Sequence, residues 1–201
     1  MFEENPRRCF IFDILIDRTP SEWLEVALAD FDTFLIDHAA CERKASALAM
    51  SFVVKYPDRL ALLEPMISLA KEELSHFHEV FKVVRSRGLR LQPDEKDEYV
   101  RGILKFVRHG REDHFLDRLL AASVIEARGC ERFMMIGDNH PDEKMRAWYK
   151  RLGKEELGHY KVFINIARQY FSGEEIDKRF QEFVVHESEV MLRQPFRPRV
   201  H

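Results

Sequence analysis

The chain has 201 residues, of which 45% are hydrophobic and 33% charged, a balance that suits one globular domain with a substantial core. Its net charge of -3 with neutral histidines excludes a strongly basic nucleic-acid-binding or membrane-surface protein, while allowing local basic patches. Glycine and proline are scarce, at 8 residues each, which favours long helices.

The cysteines and the start of the chain bear on the cellular compartment. Cys9, Cys41 and Cys130 are scattered and form neither a disulfide framework nor a paired metal motif, which indicates a reducing compartment. Residues 1–8 carry acids and a proline where a signal peptide would have a basic stretch and an apolar run. No segment approaches the length of an uncharged transmembrane helix. We therefore expect a cytoplasmic protein without a membrane segment.

The first part of the chain predicts an arm followed by a long helix. Residues 1–18 contain the apolar run Phe10–Phe12, which we expect to pack as an extended arm across a bundle. Thr19 can cap a helix and Pro20 suits its first turn, so a long helical pattern begins there. A pattern of this length predicts a kink or break between Ala29 and Thr33.

Proline and glycine divide the rest of the chain. Pro65 should kink or restart the second helix, Gly88 should end it, and residues 137–141 form a turn. Residues 95–108 predict a shorter connecting helix. Alternating strand patterns are absent, so the sequence predicts an all-α protein, a four-helix bundle with additional helices. The core helices are expected at about residues 20–56, 58–87, 112–137 and 142–171, with a C-terminal helix at 174–192, in a single domain spanning 1–201.

One motif occurs twice. The segment Lys71–His76 returns almost unchanged as Lys154–His159, and each copy contains Glu-x-x-His. Residues three apart lie on one face of a helix, so Glu73 can aim a carboxylate at the same point as the His76 imidazole. The second copy does the same. Two such helices facing each other would supply half of a carboxylate-bridged dinuclear metal site.

The other half of such a site is one inward glutamate from each of two further helices. Glu42 lies 31 residues before the first motif glutamate, and Glu126 lies 30 residues before the second. These near-equal distances indicate a repeated helix pair. The predicted metal ligands are therefore Glu42, Glu73, His76, Glu126, Glu156 and His159.

Glu131 competes with Glu126 as the inward glutamate of the helix at 112–137, because Cys130-Glu131-Arg132 echoes Cys41-Glu42-Arg43. Choosing Glu131 would spoil the symmetry of the two halves. The helix face around Glu126 carries Leu119, Ala122, Gly129, Cys130 and Phe133, so burying its carboxylate there would be costly unless it were paired or bound to metal. We therefore favour Glu126.

Four further residues near the motifs have other expected roles. Glu72 and Glu155 each precede a ligand glutamate and point off the ligand face, so we expect them to be solvated or to support the ligands. His78 cannot share a face with the motif histidine and is read as structural. His38 lies one turn before Glu42 and is ambiguous, since it can line the pocket or belong to the core.

The predicted donor set indicates the metal. Four carboxylates and two neutral imidazoles contribute a formal charge of about −4, which suits two divalent cations such as iron or manganese better than copper or zinc. A centre of this kind is expected to activate dioxygen.

Four segments of the sequence resemble one protein family. They are residues 36–45, 71–77, 125–133 and 154–160, which contain all six predicted ligands. Together they resemble the bacterial tRNA hydroxylase that acts on 2-methylthio-N6-isopentenyladenosine beside the anticodon. The likeness spans nearly the whole chain, including the Arg-Pro tail, and none of the six ligand positions departs from it.

The resemblance implies a ferritin-like fold and an oxygen-dependent hydroxylation of a terminal methyl on the isopentenyl group of tRNA. It implies two iron ions held by the six residues, with dioxygen as co-substrate and no catalytic residues beyond the metal ligands. Electrons would come from a separate ferredoxin or reductase. The oligomeric state is left open.

Such a substrate needs an apolar pocket and contacts to phosphate. Leu119, Phe133 and Phe163 are pocket candidates by helical position, although core packing is the simpler role for each. Three basic clusters could contact phosphates, or could equally be solvated helix ends. The clusters are Arg85, Arg87 and Arg90; Lys105, Arg108, His109 and Arg111; and Arg193, Arg197 and Arg199.

Two other readings compete with the hydroxylase. A ferritin-like iron-storage protein, peroxidase or manganese catalase would use the same ligands without an organic substrate. A helical binding module without enzymatic activity would leave the repeated glutamates solvated and bind no metal tightly. The two readings differ in whether Glu126 is needed for metal binding.

Overall fold

A computed structural model of the protein describes residues 14–201, so the predicted arm segment Phe10–Phe12 lies outside the described residues. Leu15 follows this segment and packs against Ala127 and Cys130. Across residues 14–201 the secondary structure is entirely helical, which confirms the all-α prediction. The helices are α1 (Ser21–Ala29), α2 (Phe31–Lys55), α3 (Leu60–Ser86), α4 (Glu98–Leu104), α5 (Arg111–Asn139), α6 (Glu143–Ala167) and α7 (Gly173–Leu192).

The predicted break in the first long helix occurs at Asp30, which separates α1 from α2. The Asp30 side chain accepts a hydrogen bond from the backbone N–H of Thr33 and thereby caps α2. Asp97, Asp142 and Ser172 cap α4, α6 and α7 in the same way. Local side-chain chemistry therefore fixes most of the helix starts.

Pro65 does not restart α3, so that alternative of the prediction is wrong: the helix is continuous from Leu60 to Ser86. The proline lies in the second turn, where its missing N–H removes a single hydrogen bond near the helix start. Gly88 follows α3 with a φ of 73°, and Gly110 precedes α5 with a φ of 94°. Both angles are in the left-handed region that favours glycine.

The four long helices form a ferritin-like bundle of two helix pairs. α2 packs along α3, and α5 packs along α6. The pairs meet partly through α3 and α6, while α7 covers α5 and the short α4 lies against α5 and α7. This is the repeated helix pair that the duplicated motif predicts.

Besides the small cluster around Leu15, two larger apolar clusters fill the bundle and leave a polar layer between them. The larger cluster includes Phe52, Phe115 and Phe163, and the smaller one includes Phe34 and Tyr149. Along α3 the larger cluster ends at Ala70 and the smaller begins at Val80, and the first Glu-x-x-His motif occupies the gap. The second motif occupies the corresponding gap on α6. The candidate site is therefore held at mid-bundle by apolar packing on both sides. No helix in the described part of the chain is long and apolar enough to cross a membrane.

Candidate metal centre

The two Glu-x-x-His motifs face each other across the bundle. One ligand atom from each of Glu73, His76, Glu156 and His159 lies within 4.8 Å of the others. Nδ1 of His159 lies 2.8 Å from Oε1 of Glu73 and 3.1 Å from Oε2 of Glu156. All four side chains are buried. The bundle thus brings two carboxylates and two imidazoles close to one point.

Glu42 and Glu126 complete the cluster from the other two helices. Oε2 of Glu42 lies 3.6 Å from Nδ1 of His76. Glu126 is buried, and its carboxyl lies close enough to Glu156 for the negative charge of Glu156 to raise the pKa of Glu126. Glu42, Glu73, Glu126 and Glu156 also border the same cavity. The structure therefore brings together all six residues predicted from the sequence as ligands.

Burial and mutual repulsion raise the pKa values of three carboxyl groups in the cluster. The pKa values of Glu73 and Glu126 lie well above their usual range, first because burial disfavours the charged form and then because of the negative charge of Glu156. Burial also raises the pKa of Glu42. Protein groups alone therefore supply too little positive charge for four ionised carboxylates.

The two histidines take up part of the missing positive charge. Burial alone would lower the pKa of His76, but the neighbouring glutamates outweigh it and raise the pKa to about 9. The pKa of His159 is raised for the same reason, by Glu156 and Glu73 against burial. In turn, the hydrogen bond and charge of His159 outweigh burial and lower the pKa of Glu156 to about 2. Protons on the histidines and carboxyl groups therefore offset negative charge that bound cations would otherwise offset.

Two buried polar atoms of the cluster test whether a metal fits. Oε2 of Glu73 and Nδ1 of His76 are buried without a hydrogen-bond partner, and Oε1 of Glu73 has only its 2.8 Å contact with Nδ1 of His159. Buried polar atoms are nearly always paired, so two unpaired metal-binding atoms in one cluster require another partner. Oxygen and imidazole donors with no thiolate suit iron or manganese. The donor set therefore fits a pair of divalent cations.

His38 supports the cluster rather than lining the cavity. Its Nε2 lies 2.5 Å from Oε1 of Glu42, and its Nδ1 lies 3.0 Å from the hydroxyl of Tyr149. The ring is fully buried, and burial lowers the pKa of His38 to about 3. A neutral His38 can therefore hold Glu42 in place by a hydrogen bond.

The two glutamates that precede the motif glutamates lie beside the histidines of the opposite helix. Oε2 of Glu72 on α3 is 3.3 Å from Nε2 of His159 on α6, and Glu155 occupies the equivalent position beside His76. Both histidines consequently direct Nδ1 to the carboxylate cluster and Nε2 outward. The expectation that these glutamates lie off the ligand face agrees with this arrangement.

Glu131 and His78 lie apart from the centre. Glu131 pairs with the fully buried Arg128 at 2.5 Å and accepts hydrogen bonds from the backbone N–H and hydroxyl of Thr19. His78 is exposed, beside a shallow groove with Phe77 and Phe81. The structure thus places Glu126 rather than Glu131 at the cluster.

A largely apolar cavity of about 210 Å³ borders the cluster. Of the three predicted pocket residues, Phe133 lines it, whereas Leu119 and Phe163 are buried in the larger apolar cluster. The other residues of the cavity wall are Cys41, Lys44, Ala45, Leu48, Asp97, Val100, Leu104, Arg118, Ala122, Ile125, Gly129, Val200 and His201, together with the four glutamates.

Sequence reasoning missed two parts of this wall. Arg118 lies one turn before Ala122 and two turns before Glu126, so helical periodicity could have identified it. Val200 and His201 come from the C-terminal tail, which carries no periodic signal. The tail is held by hydrogen bonds from the Val200 N–H to Asp37, at 2.8 Å, and from Arg132 to the Val200 carbonyl, at 2.6 Å.

Five of the eight arginines in the predicted basic clusters form ion pairs with acidic side chains of residues 14–201. Arg87 pairs with Asp32 and Arg111 with Asp58. Arg108 pairs with Asp113 and the fully buried Asp117. In the tail, Arg193 pairs with Glu189 and Arg199 with Glu95. The positive charge of these clusters is therefore partly neutralised within the protein.

Comparisons with known proteins agree with this geometry. A family model described as tRNA-(MS[2]IO[6]A)-hydroxylase (MiaE) matches residues 9–201. A relative from Pseudomonas putida, named tRNA 2-(methylsulfanyl)-N(6)-isopentenyladenosine(37) hydroxylase, is 40% identical over 159 residues, which are 79% of this chain and 76% of the relative. A protein of the same name from Salmonella typhimurium is 28% identical over 87% of this chain and 82% of its own length.

A solved structure has a similar fold. It is described as Protein 43 with aldehyde deformylating oxygenase activity from Synechococcus, and it superposes with a TM-score of 0.89 at 32% sequence identity. The match covers 94% of this chain and 95% of that chain. The similarity therefore extends over the whole bundle and not over one helix pair alone.

Proposed function

The chain belongs to the tRNA-(MS[2]IO[6]A)-hydroxylase (MiaE) family, and on that premise we propose that it hydroxylates the isopentenyl group of 2-methylthio-N6-isopentenyladenosine in tRNA. The observation that carries this proposal is the position of the cavity. Its largely apolar wall includes four glutamates of the cluster, so an apolar chain inside it would lie beside the metal centre. A cavity of about 210 Å³ is sufficient for a short branched hydrocarbon chain.

We propose that six residues hold two iron ions: Glu42, Glu73, His76, Glu126, Glu156 and His159. One glutamate from each of two helices and one Glu-x-x-His pair from each of the other two are the donor set of carboxylate-bridged dinuclear centres in such bundles. When bound, the iron pair would supply the activation of dioxygen, the co-substrate that provides the hydroxyl oxygen. The orphaned atoms of Glu73 and His76 support this assignment.

The residues of the chain position the substrate and exclude water. Ala45, Ala122 and Gly129 keep the wall beside the glutamates short, so a prenyl methyl can approach the centre closely. Leu48, Ile125 and other apolar side chains would surround the rest of the prenyl group and exclude water from it. The hydrophobic effect thus supplies binding free energy, and the cluster supplies the reacting position.

The cluster itself is held by its neighbours. His38 fixes Glu42, and the outer glutamates fix the orientation of both motif histidines. Metal binding must displace the protons now shared among the histidines and carboxyls, so it releases protons. Metal affinity is therefore expected to fall as the pH is lowered.

The substrate and partners follow from the same proposal. A nucleoside beside the anticodon lies in a single-stranded loop, so its base can be reached without opening a duplex. Electrons would come from a separate ferredoxin or reductase, since oxygen insertion needs two of them and the chain carries no Cys-pair motif for a redox centre of its own. A tRNA-modifying role would place the protein in the cytoplasm.

The experiment is hydroxylation by iron-loaded, chemically reduced protein in air. The substrate is tRNA that carries the prenylated, methylthiolated adenosine, and the released nucleosides are analysed by mass. A gain of one oxygen on that nucleoside is expected with the wild-type chain and not with Glu156→Gln. If iron is bound and oxidised while the nucleoside is unchanged in both, the iron-storage or peroxidase reading replaces the hydroxylase.

A further inference from the structure

Arg118 is the only arginine in the cavity wall, and it has no acidic partner among residues 14–201. Its side chain is half-buried, and its guanidinium lies 5.9 Å from the centre of the Phe52 ring. Burial lowers the pKa of Arg118, and only Tyr56 acts against that effect. A half-buried cation without a counter-charge is costly, so it is a candidate for binding an anion.

The other arginines at this end of the bundle are different. Arg59 pairs with Glu112, Arg111 pairs with Asp58, and Arg108 pairs with Asp117. The acids near the start of α5 are thus already engaged by arginines other than Arg118. Its lack of a partner distinguishes Arg118 from its neighbours.

A second cavity of about 210 Å³ lies next to the first, and Arg118 belongs to both walls. Its other lining residues include Lys55, Tyr56 and His114. Nζ of Lys55 lies 3.2 Å from Nε2 of His114, and the Tyr56 hydroxyl lies 2.9 Å from Nδ1 of the same ring. Lys55 also forms no ion pair with an acid in the described residues. Two cations and a hydroxyl therefore surround a space that contains no carboxylate.

His114 can remain neutral in this group. Burial lowers its pKa, and the positive charges of Lys55 and Arg118 lower it further. A neutral imidazole beside the ammonium keeps Lys55 in place by accepting a hydrogen bond from it. The group therefore holds two cations close together without a third charge between them.

We propose that Arg118 and Lys55 bind a backbone phosphate of the RNA, adjacent to the nucleotide whose prenyl group enters the first cavity. The proposal rests on the proposed function and extends it to the part of the substrate that fixes its position. The planar guanidinium of arginine suits the paired oxygens of a phosphate, and lysine adds a second positive charge. Such a contact fixes orientation without reading sequence.

The distance along α5 fits one nucleotide. Arg118 lies eight residues before Glu126, which at 1.5 Å per residue is about 12 Å along the helix axis. This is the scale of a nucleotide extended from its phosphate to the end of an N6 substituent. A phosphate at Arg118 would therefore direct the prenyl group toward Glu126 and the metal centre.

The first test measures RNA binding by metal-free protein, which does not depend on catalysis. An anticodon stem-loop RNA is titrated by fluorescence anisotropy at several salt concentrations against wild type, Arg118→Met, Arg118→Lys and Lys55→Met. Arg101→Met is the matched control, because Arg101 is exposed and paired with Glu98 on α4.

We expect Arg118→Met to weaken binding about tenfold and to reduce the slope of log affinity against log salt by about one. Lys55→Met should also reduce the slope, Arg118→Lys should keep it, and the control should match wild type. Thermal unfolding of each variant verifies the fold. Equal affinity and equal slope for Arg118→Met and wild type would overturn the proposal.

The second test compares hydroxylation of the stem-loop RNA with that of the free nucleoside, which has no phosphate. For Arg118→Met, kcat/KM should fall about tenfold more for the RNA than for the nucleoside, mainly through KM. Equal losses for both substrates would overturn the phosphate assignment and place Arg118 against the base or prenyl group. If wild type hydroxylates neither substrate, the proposed function fails, while the binding test still decides the phosphate site.

Discussion

Glu155 on α6 places a carboxylate oxygen 3.2 Å from Nε2 of His76 on α3, on the side of the imidazole opposite the carboxylate cluster. Glu72 on α3 makes the reciprocal contact with His159 on α6. Each helix therefore supplies a motif histidine to the centre and a glutamate that orients the histidine of its partner. Contacts of this type fix the tautomer and direction of a metal-binding imidazole.

Replacing this outer carboxylate should weaken metal binding without removing a ligand. For Glu155→Gln we expect iron affinity to fall about 10-fold to 100-fold, because the amide no longer stabilises a proton on Nε2. Titration of the metal-free protein with Fe(II) under anaerobic conditions measures this affinity. Glu64→Gln is the control, since Glu64 is exposed on the same helix as His76. Equal Fe(II) affinities for Glu155→Gln and Glu64→Gln would show that Glu155 does not orient His76 for metal binding.

Glu126 should be required for metal binding, and its buried carboxyl should lower the free energy of unfolding of the metal-free protein. For Glu126→Ala we expect the loss of roughly half or more of the bound iron, because the ligand geometry of the pair is incomplete. The metal-free variant should be at least as stable as metal-free wild type, since a buried carboxyl with a raised pKa has been removed. Iron analysis and thermal unfolding with and without metal measure the two effects.

Glu131→Gln is the matched comparison for that variant. Glu131 is buried on the same helix, but it pairs with Arg128 and Thr19 instead of facing the centre. We expect a lower free energy of unfolding, by about 3 kcal/mol as for other broken buried ion pairs, with the iron content unchanged. Loss of iron from Glu131→Gln with retention in Glu126→Ala would reverse the assignment.

Filling the cavity should block the substrate and spare the metal. Ala122 lines the cavity one turn before Glu126, so Ala122→Leu would place a larger side chain where the prenyl group is expected. We predict at least a tenfold drop in kcat/KM for the prenylated nucleoside, an unchanged iron content and a stability cost of about 1–3 kcal/mol. Ala61→Leu, at an exposed position of α3, is the control. Undiminished activity of Ala122→Leu would show that the substrate lies elsewhere.

His140 should make stability depend on pH. The ring is buried against Phe31, and its Nδ1 accepts a hydrogen bond from the N–H of Asp142. Burial lowers the pKa of His140 below its usual value, so the unfolded chain takes up a proton first as the pH falls. The contribution of His140 is therefore complete above the unfolded pKa of about 6.5 and is lost as the pH falls through that value to the folded pKa.

Chemical denaturation at a series of pH values checks this prediction. The free energy of unfolding of wild type should decline more between neutral and mildly acidic pH than that of His140→Asn, which can still accept the Asp142 hydrogen bond. Parallel curves for the two proteins would contradict the assignment. Both should be measured without metal, because metal binding is itself linked to protons.

The fold and the cluster were predictable because both are repeated along the chain. The Glu-x-x-His motif sets two helix faces, and the matching glutamates 30 and 31 residues earlier set two more, so the meeting of six residues follows from helical geometry. The break at Asp30 follows from a capping side chain within the same short segment. Local sequence patterns were therefore sufficient to predict both the ligand cluster and the break between α1 and α2.

The parts that were missed depend on contacts between distant segments. Val200 and His201 reach the cavity only because Asp37 and Arg132 hold the tail, and these partners lie far away in the sequence. Whether an arginine is paired is likewise a tertiary property, so Arg111 and Arg118 look alike in the sequence and differ in the structure. Composition and periodicity predict neither the docking of the C-terminal tail nor the pairing of an arginine with an acid.

If this bundle uses dioxygen to hydroxylate the prenyl group in its cavity, the oxygen atom gained by the product must come from dioxygen. The most direct measurement is a single turnover of the reduced, iron-loaded protein under heavy-isotope dioxygen with the prenylated, methylthiolated tRNA, followed by mass analysis of the nucleosides. We predict one heavy oxygen atom on the prenyl group of the modified adenosine. An unchanged nucleoside, or a product whose oxygen comes from water, would contradict it.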